Sequence, residues 1–512
     1  MPNENQDTSF TPPRKAVVRK KMVVAALAGF GALAITLVAR TATFRSKQVF
    51  PEAATEISID GDLCSRHLAE AVRIATISHQ DPAQFDAEAF RGFHGFLEAA
   101  FPLVHARLDR QVIGEYSLLY TWKGSDEGRE PILLMGHIDV VPVEPGTQAD
   151  WEHPPFSGEI ADGYIWGRGT LDDKSSVLGL LEAAELLLRE GRQPQRTIYL
   201  AFGHDEEVSG ANGAAQIAER LERQGVELAY VLDEGMSVTN GLVPGIATPV
   251  ALIGIAEKGY VSVELTVETE GGHSSMPPAQ SAVGILSAAV QRLEAHPMPS
   301  TLSGPIRDLL TYTGPEMAFA QRMVFGNLWL FGPVVERVLA SAAATNASIR
   351  TTTAATVFQG GVKDNVLPSK ARAVVNFRIL PGDSIDGVIE HVRKTIDDPR
   401  IGVATLGWAN EPTPVSSVES DSFLTLMRTI RQIFPDVTVA PSLVLGGTDS
   451  RHYVKLSDDV YRFVPHSMHE EDLGRVHGTN ERIGVDNYAQ IVRFYVQLMM
   501  NSDAKPAGPT GG

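Results

Sequence analysis

The chain has 512 residues, 43% of them hydrophobic, and a formal net charge of −18. This length and apolar content predict about two to four folded domains and exclude a disordered chain, while the acidic balance excludes nucleic-acid binding because phosphates would be repelled. The single cysteine, Cys64, excludes an internal disulfide and a thiolate zinc site.

The N-terminus predicts a membrane anchor. A basic leader at 1–21 precedes an uncharged run at 22–39. As a helix rising about 1.5 Å per residue, this run approaches the thickness of bilayer hydrocarbon. We favour an uncleaved signal anchor over a cleaved signal peptide, because no clear small-residue cleavage site follows. The basic leader then places the catalytic part outside the cytoplasm, in a periplasmic, extracellular or lumenal space.

Residues 51–258 are predicted to form the first part of an α/β catalytic domain. Helical patterns at 62–77, 87–101, 175–190 and 213–224 alternate with buried strands at 131–143, 197–207 and 228–235. This alternation predicts a parallel-rich sheet with helices on both faces. Polar residues follow the strands at their carboxyl ends, where open α/β sheets place their sites.

The pattern changes at about residue 259, where strands with one polar face begin. Strands at 261–271, 351–361 and 371–380, with helices at 281–295 and 385–396, predict an inserted α+β lid or dimerisation domain at 259–411. Its apolar insertion at 298–345 is interpreted as extra core, a dimer contact or a wall for an apolar substrate. Helices at 422–433 and 486–499 predict that 412–502 rejoins the first domain, and the tail at 503–512 is predicted to be disordered.

Five short stretches carry imidazole and carboxylate groups at predicted strand ends and turns. They contain His137 with Asp139, Asp172, Glu206 with Glu207, Asp233 with Glu234, and His477. Each stretch alone is compatible with a structural role, such as a helix cap or an acidic turn. Together they predict two hydrolytic metal ions that share one bridging group, for which Asp172 is the best candidate. Because two adjacent buried carboxylates raise each other's pKa, one of Glu206 and Glu207 is expected to bind a cation and the other to transfer protons.

The order of the motifs carries a resemblance to a known family. GHIDVVPV, WGRGTLDDK, GHDEEVSG, LDEG, GGHSSMPP, NVLP, GGTDSR and VHGTNE follow one another across about residues 55–500. This set resembles the co-catalytic zinc metallopeptidase family that includes aminoacylase, bacterial carboxypeptidase G and carboxypeptidase S. Within that family the likeness is strongest to carboxypeptidase S and the N-fatty-acyl-amino acid synthase/hydrolase.

The resemblance implies two zinc ions per subunit, with cobalt or manganese as substitutes. Asp172 would bridge them, Glu207 and His477 would complete one site, and His137 with Asp233 the other, although Glu234 is the alternative to Asp233. Glu206 would be the general base and Asp139 the orienting carboxylate. In a homodimer, His273 would reach the partner's site and stabilise the oxyanion. The implied substrate contacts are Asn365, Arg378, Gly447, Thr448 and Arg451.

The predicted reaction is hydrolysis, or reversible formation, of the amide bond of N-acyl amino acids. Their acyl groups are expected to be apolar and to include long chains. The alternative is a carboxypeptidase or dipeptidase that acts on peptides with a free C-terminus. A catalytically dead scaffold is disfavoured, because Glu206 and all five ligand candidates are present.

Overall fold

The computed structural model describes residues 14–55 and 57–503. The start of the predicted leader and residues 504–512 of the predicted disordered tail lie outside the described residues. The helices are α1 (Arg14–Thr43), α2 (Gly61–Val72), α3 (Ala87–Ala100), α4 (Pro102–Arg107), α5 (Lys174–Arg189), α6 (Ala214–Arg223), α7 (Ala282–Ala295), α8 (Pro305–Thr313), α9 (Phe319–Gly326), α10 (Leu328–Leu339), α11 (Ala343–Ile349), α12 (Ile385–Ile396), α13 (Asp421–Ile433) and α14 (Val485–Asp503).

The strands are β1 (Asp109–Ile113), β2 (Ser117–Trp122), β3 (Ile132–His137), β4 (Glu159–Ala161), β5 (Tyr164–Trp166), β6 (Ile198–Gly203), β7 (Tyr230–Asp233), β8 (Val238–Thr239), β9 (Val250–Glu257), β10 (Gly259–Glu268), β11 (Gly272–His273), β12 (Thr352–Gly360), β13 (Val366–Leu367), β14 (Lys370–Ile379), β15 (Ile401–Asn410), β16 (Thr438–Val444), β17 (Val460–Arg462), β18 (Ser467–Met468) and β19 (Arg482–Gly484).

A ten-stranded mixed sheet forms the centre of the larger domain. Its order is β1-β2-β6-β3-β7-β17-β9-β8-β18, with β16 also paired to β9. The central strands β6, β3, β7 and β17 run parallel, and β1 and β2 extend the sheet antiparallel at one edge. Alternate residues of β3 point to opposite cores, one closed by α2, α5, α13 and α14 and the other by α6. The predicted parallel-rich sheet with helices on both faces is confirmed.

A second, four-stranded sheet forms the smaller domain. Its order is β12-β14-β10-β15, every pair is antiparallel, and α7 and α12 pack on one face. The chain changes sheets between β9, which ends at Glu257, and β10, which begins at Gly259. After β15 it returns to the larger domain through α13, whose buried side chains join the main core. The smaller domain is therefore an insertion into the larger one.

The apolar insertion folds into helices α8 to α11, most of which the sequence patterns did not separate. Helix α8 lies against β16, and Tyr312 joins the core of the larger domain. Helix α1 contains a 23-residue stretch, Lys21–Thr43, whose most apolar window has a mean hydropathy of 2.4 and no buried part. By length and composition this stretch is able to cross a membrane.

Candidate metal centre

The carboxyl ends of three parallel strands bring the predicted polar residues to one edge of the sheet. His137 is the last residue of β3, and Glu206 and Glu207 open a single 3-10 turn shortly after β6. Glu234 directly follows β7, and Asp172 lies just before α5. Because β3 pairs with both β6 and β7 in parallel, these ends are neighbours in space.

Asp172 lies between two sets of candidate metal ligands. Its Oδ1 is 2.8 Å from His137 Nε2, and its Oδ2 is 2.9 Å from His477 Nε2. One ligand atom from each of His137, Asp172 and Glu234 lies within 4.8 Å of the others, and the same holds for Asp172, Glu207 and His477. Two cations bound here would therefore share the Asp172 carboxylate.

Glu234, and not Asp233, belongs to this ligand set. Asp233 is the last residue of β7 and is buried, and its Oδ2 accepts a hydrogen bond from the Ser450 N–H at 2.8 Å. The next residue, Glu234, reaches His137 and Asp172. Of the two alternatives that the sequence left open, the geometry therefore favours Glu234, because the carboxylate at the strand end accepts a hydrogen bond from the Ser450 loop.

Asp139 orients both the first histidine and the glutamate turn. His137 Nδ1 lies 3.0 Å from the Asp139 carbonyl oxygen and 3.4 Å from its Oδ1. The two carboxylate oxygens of Asp139 accept hydrogen bonds from the backbone N–H groups of Glu206 and Glu207, each at 3.2 Å. The side chain of Asp139 thus fixes the position of the general-base candidate relative to the ligands.

Crowded carboxylates give this centre its electrostatic character. Burial, together with neighbouring carboxylates, raises the pKa of Glu206, Glu207 and Glu234. Burial also acts to raise the pKa of Asp172, but the hydrogen bonds and charges of His137 and His477 outweigh it and lower that pKa. Hydrogen bonds to Asp172 and Glu207 raise the pKa of His477 to about 10.

The donor set fits divalent cations. The buried Oε1 of Glu207 has no hydrogen-bond partner among the described residues, although Glu207 belongs to a candidate ligand group. Two histidines and two glutamates surround the Asp172 carboxylate, so three carboxylates are grouped with only two imidazoles that could offset their negative charge. Bound cations would satisfy the free oxygen and reduce the repulsion between the carboxylates.

A buried ion pair joins the loops that carry Asp172 and His477. Arg168 pairs with Glu481, which is fully buried, and Arg168 Nη2 also donates to the carbonyl oxygens of His477 and Gly478 at 3.1 and 2.9 Å. Glu481 Oε1 accepts hydrogen bonds from the N–H groups of Gly169, Leu171 and Asp172. Both charged residues lie inside quoted motifs, WGRGTLDDK and VHGTNE, yet the sequence analysis gave them no role.

A cleft of about 740 Å³ opens beside Glu206 and Glu207 and is bordered by both domains. Of the predicted substrate contacts, Arg378, Gly447 and Arg451 line it. Thr448 does not, because it is buried with its hydroxyl donating to Glu257. The cleft that the described residues outline has no lining residue from 298–345, so the apolar insertion is not its wall.

Two aromatic residues that the sequence analysis did not single out form the apolar side of the cleft. The rings of Tyr260 and Trp408 have centroids 5.2 Å apart, on the neighbouring strands β10 and β15. Arg378 lies 4.9 Å from the Tyr260 ring, and Arg451 lies 5.5 Å from the Trp408 ring. Arg451 Nη1 is in turn 3.9 Å from Glu206 Oε1. A row of two rings with an arginine at each end thus runs from the smaller domain to the general-base candidate.

His273 and Asn365 lie together but away from this cleft. His273 ends β11, which pairs with β13, and the N–H of Ser274 donates to the Asn365 carbonyl oxygen at 3.2 Å. Both residues are exposed, and neither lines the cleft. Within one subunit, therefore, the predicted oxyanion histidine and the predicted substrate asparagine do not join the rest of the site.

Comparison with known proteins identifies the family. The model of peptidase family M20/M25/M40 matches residues 133–501. A probable carboxypeptidase S-like 2 from Dictyostelium discoideum is 45% identical over 92% of each chain. An N-fatty-acyl-amino acid synthase/hydrolase PM20D1 from Xenopus tropicalis is 45% identical over 86% of each chain. The crystal structure of the M20 metallo-carboxypeptidase Sso-CP2 from Sulfolobus solfataricus has the same fold, with a TM-score of 0.63 and 18% identity over 87% of this chain and 100% of the other. The chain belongs to peptidase family M20/M25/M40 and is an enzyme of this metallopeptidase type.

Proposed function

We propose that the chain is a two-zinc amidohydrolase that cleaves, and in reverse forms, the amide bond of N-acyl amino acids with long apolar acyl groups. The observation that carries the proposal is the position of Asp172 between two candidate ligand pairs, beside a basic and aromatic cleft. The name of the Xenopus tropicalis relative, an N-fatty-acyl-amino acid synthase/hydrolase, supports this substrate class.

The metal ions would be held by side chains with nitrogen and oxygen donors. His137 and Glu234 would hold one ion, Glu207 and His477 the other, and Asp172 both. Imidazole and carboxylate donors suit zinc, and they also accept cobalt or manganese. When bound, the two ions would polarise the scissile carbonyl and acidify the attacking water.

Glu206 is available for proton transfer because it belongs to neither ligand group. It would take the proton from the attacking water and deliver it to the leaving amine. Asp139 holds the Glu206 backbone N–H, and the Arg451 guanidinium lies 3.9 Å from the Glu206 carboxylate. These contacts keep the carboxylate near the candidate ligands without tying up both of its oxygens.

The cleft offers a cation and a hydrophobic surface to the two ends of an N-acyl amino acid. Arg451 already donates to the carbonyl oxygens of Thr448 and Ser209, whereas Arg378 forms no salt bridge with any described residue. Arg378 is therefore the group proposed to bind the substrate carboxylate in a bidentate manner. The rings of Tyr260 and Trp408 would pack against apolar parts of the substrate.

Arg378→Gln tests this assignment, with Arg372→Gln as the matched control. Arg372 lies on the same strand, β14, but pairs with Glu264 outside the cleft. We expect Arg378→Gln to raise KM for an N-acyl amino acid with little change in kcat, and Arg372→Gln to change neither. Equal KM values for the two variants would contradict a carboxylate role for Arg378.

The substrate class is tested by comparing N-oleoyl-phenylalanine with glycyl-leucine on the purified, zinc-loaded enzyme. We expect the acyl amino acid to be cleaved with the higher kcat/KM. The name of the Dictyostelium discoideum relative, a probable carboxypeptidase, favours the alternative substrate, a peptide with a free C-terminus. Cleavage of the peptide alone would establish that alternative and reject the acyl amino acid.

The enzyme is also proposed to act as a homodimer in which His273 completes the partner's site. Its exposure on β11, away from the cleft of its own subunit, supports this arrangement. Mixing Glu206→Gln subunits with His273→Ala subunits, each inactive alone, should restore activity, because mixed dimers contain one intact composite site. Absence of any recovery in mixtures that contain mixed dimers would reject the partner role.

Helix α1 is proposed to anchor the enzyme in a membrane with the catalytic domains outside the cytoplasm. The apolar stretch Lys21–Thr43 and the basic leader before it support this orientation. Resistance to alkaline extraction from membranes, with the catalytic part sensitive to protease added from outside the cytoplasm, is the expected result. Release of the intact catalytic part in soluble form would show instead a cleaved signal peptide.

A further inference from the structure

The chain leaving α1 is fixed to the body of the protein. Gln48 and Val439 exchange two hydrogen bonds, each of 2.8 Å. Arg322 Nη2 donates to the Phe44 carbonyl oxygen at 2.6 Å. The Phe44 ring packs against Gly314, where a side chain would collide, and closely against Gly326. The helix is therefore attached by a docked segment, and not by a free tether.

The outer end of α1 meets the start of α10. Asn327 Nδ2 donates to the Leu37 carbonyl oxygen at 3.2 Å and to Thr41 Oγ1 at 3.3 Å. Thr41 lies two residues after the uncharged run that ends at residue 39, and α10 begins one residue after Asn327. At about 1.5 Å per helical residue, the start of α10 lies within one helical turn of the level at which α1 would leave the hydrocarbon.

Helix α10 presents an apolar face to solvent at this level. Residues one helical turn apart, Leu330, Val334 and Val338, are 39%, 61% and 63% exposed, and Trp329 beside them is 55% exposed. On the opposite side of the helix, Val335 is buried. Pro333 and Arg337 are also exposed. We call the exposed side of this helix the α10 face, and it consists of Trp329, Leu330, Pro333, Val334, Arg337 and Val338.

We infer that the α10 face contacts the lipid surface beside the α1 anchor. This inference rests on the proposed membrane anchor and adds a second attachment that sets the orientation of the catalytic domains. Lipid is favoured as the occupant because the face is continuous with the end of the membrane-crossing stretch. A tryptophan at the boundary and an arginine able to extend to the lipid headgroups also suit the bilayer interface.

The α10 face is connected to the cleft through helix α11. Helix α11 follows α10, and the carbonyl oxygens of Ala347 and Arg350 at its end accept hydrogen bonds from Lys258 Nζ at 2.9 and 2.8 Å. Lys258 lines the cleft. Helices α10 and α11 thus link the α10 face to a residue that lines the cleft.

Spin labels on the full-length enzyme in phosphatidylcholine–phosphatidylglycerol vesicles test the inference. Cys64 is the only native cysteine, so Cys64→Ala variants carrying one added cysteine receive one label. Val334→Cys reports the α10 face, Val362→Cys is a matched exposed valine in the smaller domain, and Phe30→Cys reports α1. Collisions with oxygen, which concentrates in lipid, and with a water-soluble nickel chelate are measured for each label.

We expect labels 334 and 30 to favour oxygen and label 362 to favour nickel. Label 334 behaving like label 362, while label 30 reports lipid, would overturn the α10 contact and leave the anchor intact. Label 30 reporting water would reject the anchor itself and the inference with it. Shielding of label 334 from both reagents, with broadening between paired labels, would show that a second copy covers the face and would also overturn the inference.

Discussion

Glu234 and Asp233 are adjacent, yet their substitution should have different consequences. Glu234→Gln removes a charged donor from the group formed with His137 and Asp172, whose ligand atoms lie within 4.8 Å of one another. Only two ligands would remain at that site, one of them shared with the second ion. We expect the purified variant to retain about one metal ion per chain, because the second group with Glu207 and His477 is intact.

The loss of activity follows from what the missing ion contributes. Lewis-acid stabilisation by one ion is worth several kcal/mol, and about 1.4 kcal/mol corresponds to a tenfold change in rate. A loss of about 4 kcal/mol lowers kcat roughly a thousandfold. Turnover of N-oleoyl-phenylalanine and metal content by mass spectrometry after desalting measure the two effects together.

Asp233→Asn is the matched control, because Asp233 supports the Ser450 loop and belongs to neither candidate ligand group. Its Oδ2 accepts the Ser450 N–H at 2.8 Å, and a hydrogen bond to a charged group is worth about 1.5–3 kcal/mol. Asparagine keeps one acceptor oxygen, so we expect lower stability but two retained ions. Loss of an ion from Asp233→Asn, with two ions retained by Glu234→Gln, would refute the assignment.

Four further predictions concern the metals, the base, the buried ion pair and a buried histidine. Chelation should abolish activity, and added zinc, cobalt or manganese should restore it in a turnover assay. Glu206→Gln should lower kcat by about 10²–10⁴ while metal content stays at two ions, since proton transfer is lost but no ligand is; unchanged kcat would reject its role. Glu481→Gln should weaken metal binding by about 10–100-fold in a competition titration, because the loops of Asp172 and His477 lose their common partner. Burial lowers the pKa of His466 to about 4 in the folded state, below its ordinary value of 6.5. Between pH 6.5 and 4 the unfolded state therefore binds one more proton than the folded state, and the free energy of unfolding decreases as the pH is lowered. Urea unfolding at pH 4.5 and 7 should show about 2 kcal/mol less acid destabilisation in His466→Leu.

The central sheet and the grouping of its candidate metal ligands could be predicted because both follow local rules. Buried strands alternate with amphipathic helices, which fixes parallel neighbours, and parallel neighbours bring their carboxyl ends to one edge. His137 and Asp172 were predicted on this basis, whereas the choice of Glu207 over Glu206 came from the family resemblance. The structure groups Asp172 with His137 on one side and with Glu207 on the other. The choice between Asp233 and Glu234 could not follow from the same rules, because it depends on the residue at which β7 ends.

The aromatic pair in the cleft and the location of the apolar insertion could not be predicted, because both depend on contacts between segments that are distant in the sequence. Tyr260 and Trp408 meet only because β10 and β15 pair with an irregular register near their ends. The apolar insertion was interpreted in part as a wall for the substrate. Its composition indicates that its apolar side chains will be covered, but composition does not show which part of the protein or which ligand covers them. In the structure Tyr312 of that insertion joins the core of the larger domain, and Asn327 contacts α1.

The groups proposed to carry out the metal chemistry and two of the groups proposed to select the substrate lie on different domains. The candidate metal ligands lie on the larger domain, where parallel strands and the buried Arg168–Glu481 pair hold them in place. Arg378 and Tyr260 lie on the smaller domain, which contributes no residue to the candidate ligand groups found among the described residues. Substitutions in the smaller domain are therefore able to change substrate preference at little cost to the ligand geometry. The converse does not hold, because a change at Asp172 would alter both candidate metal positions, whatever substrate is bound.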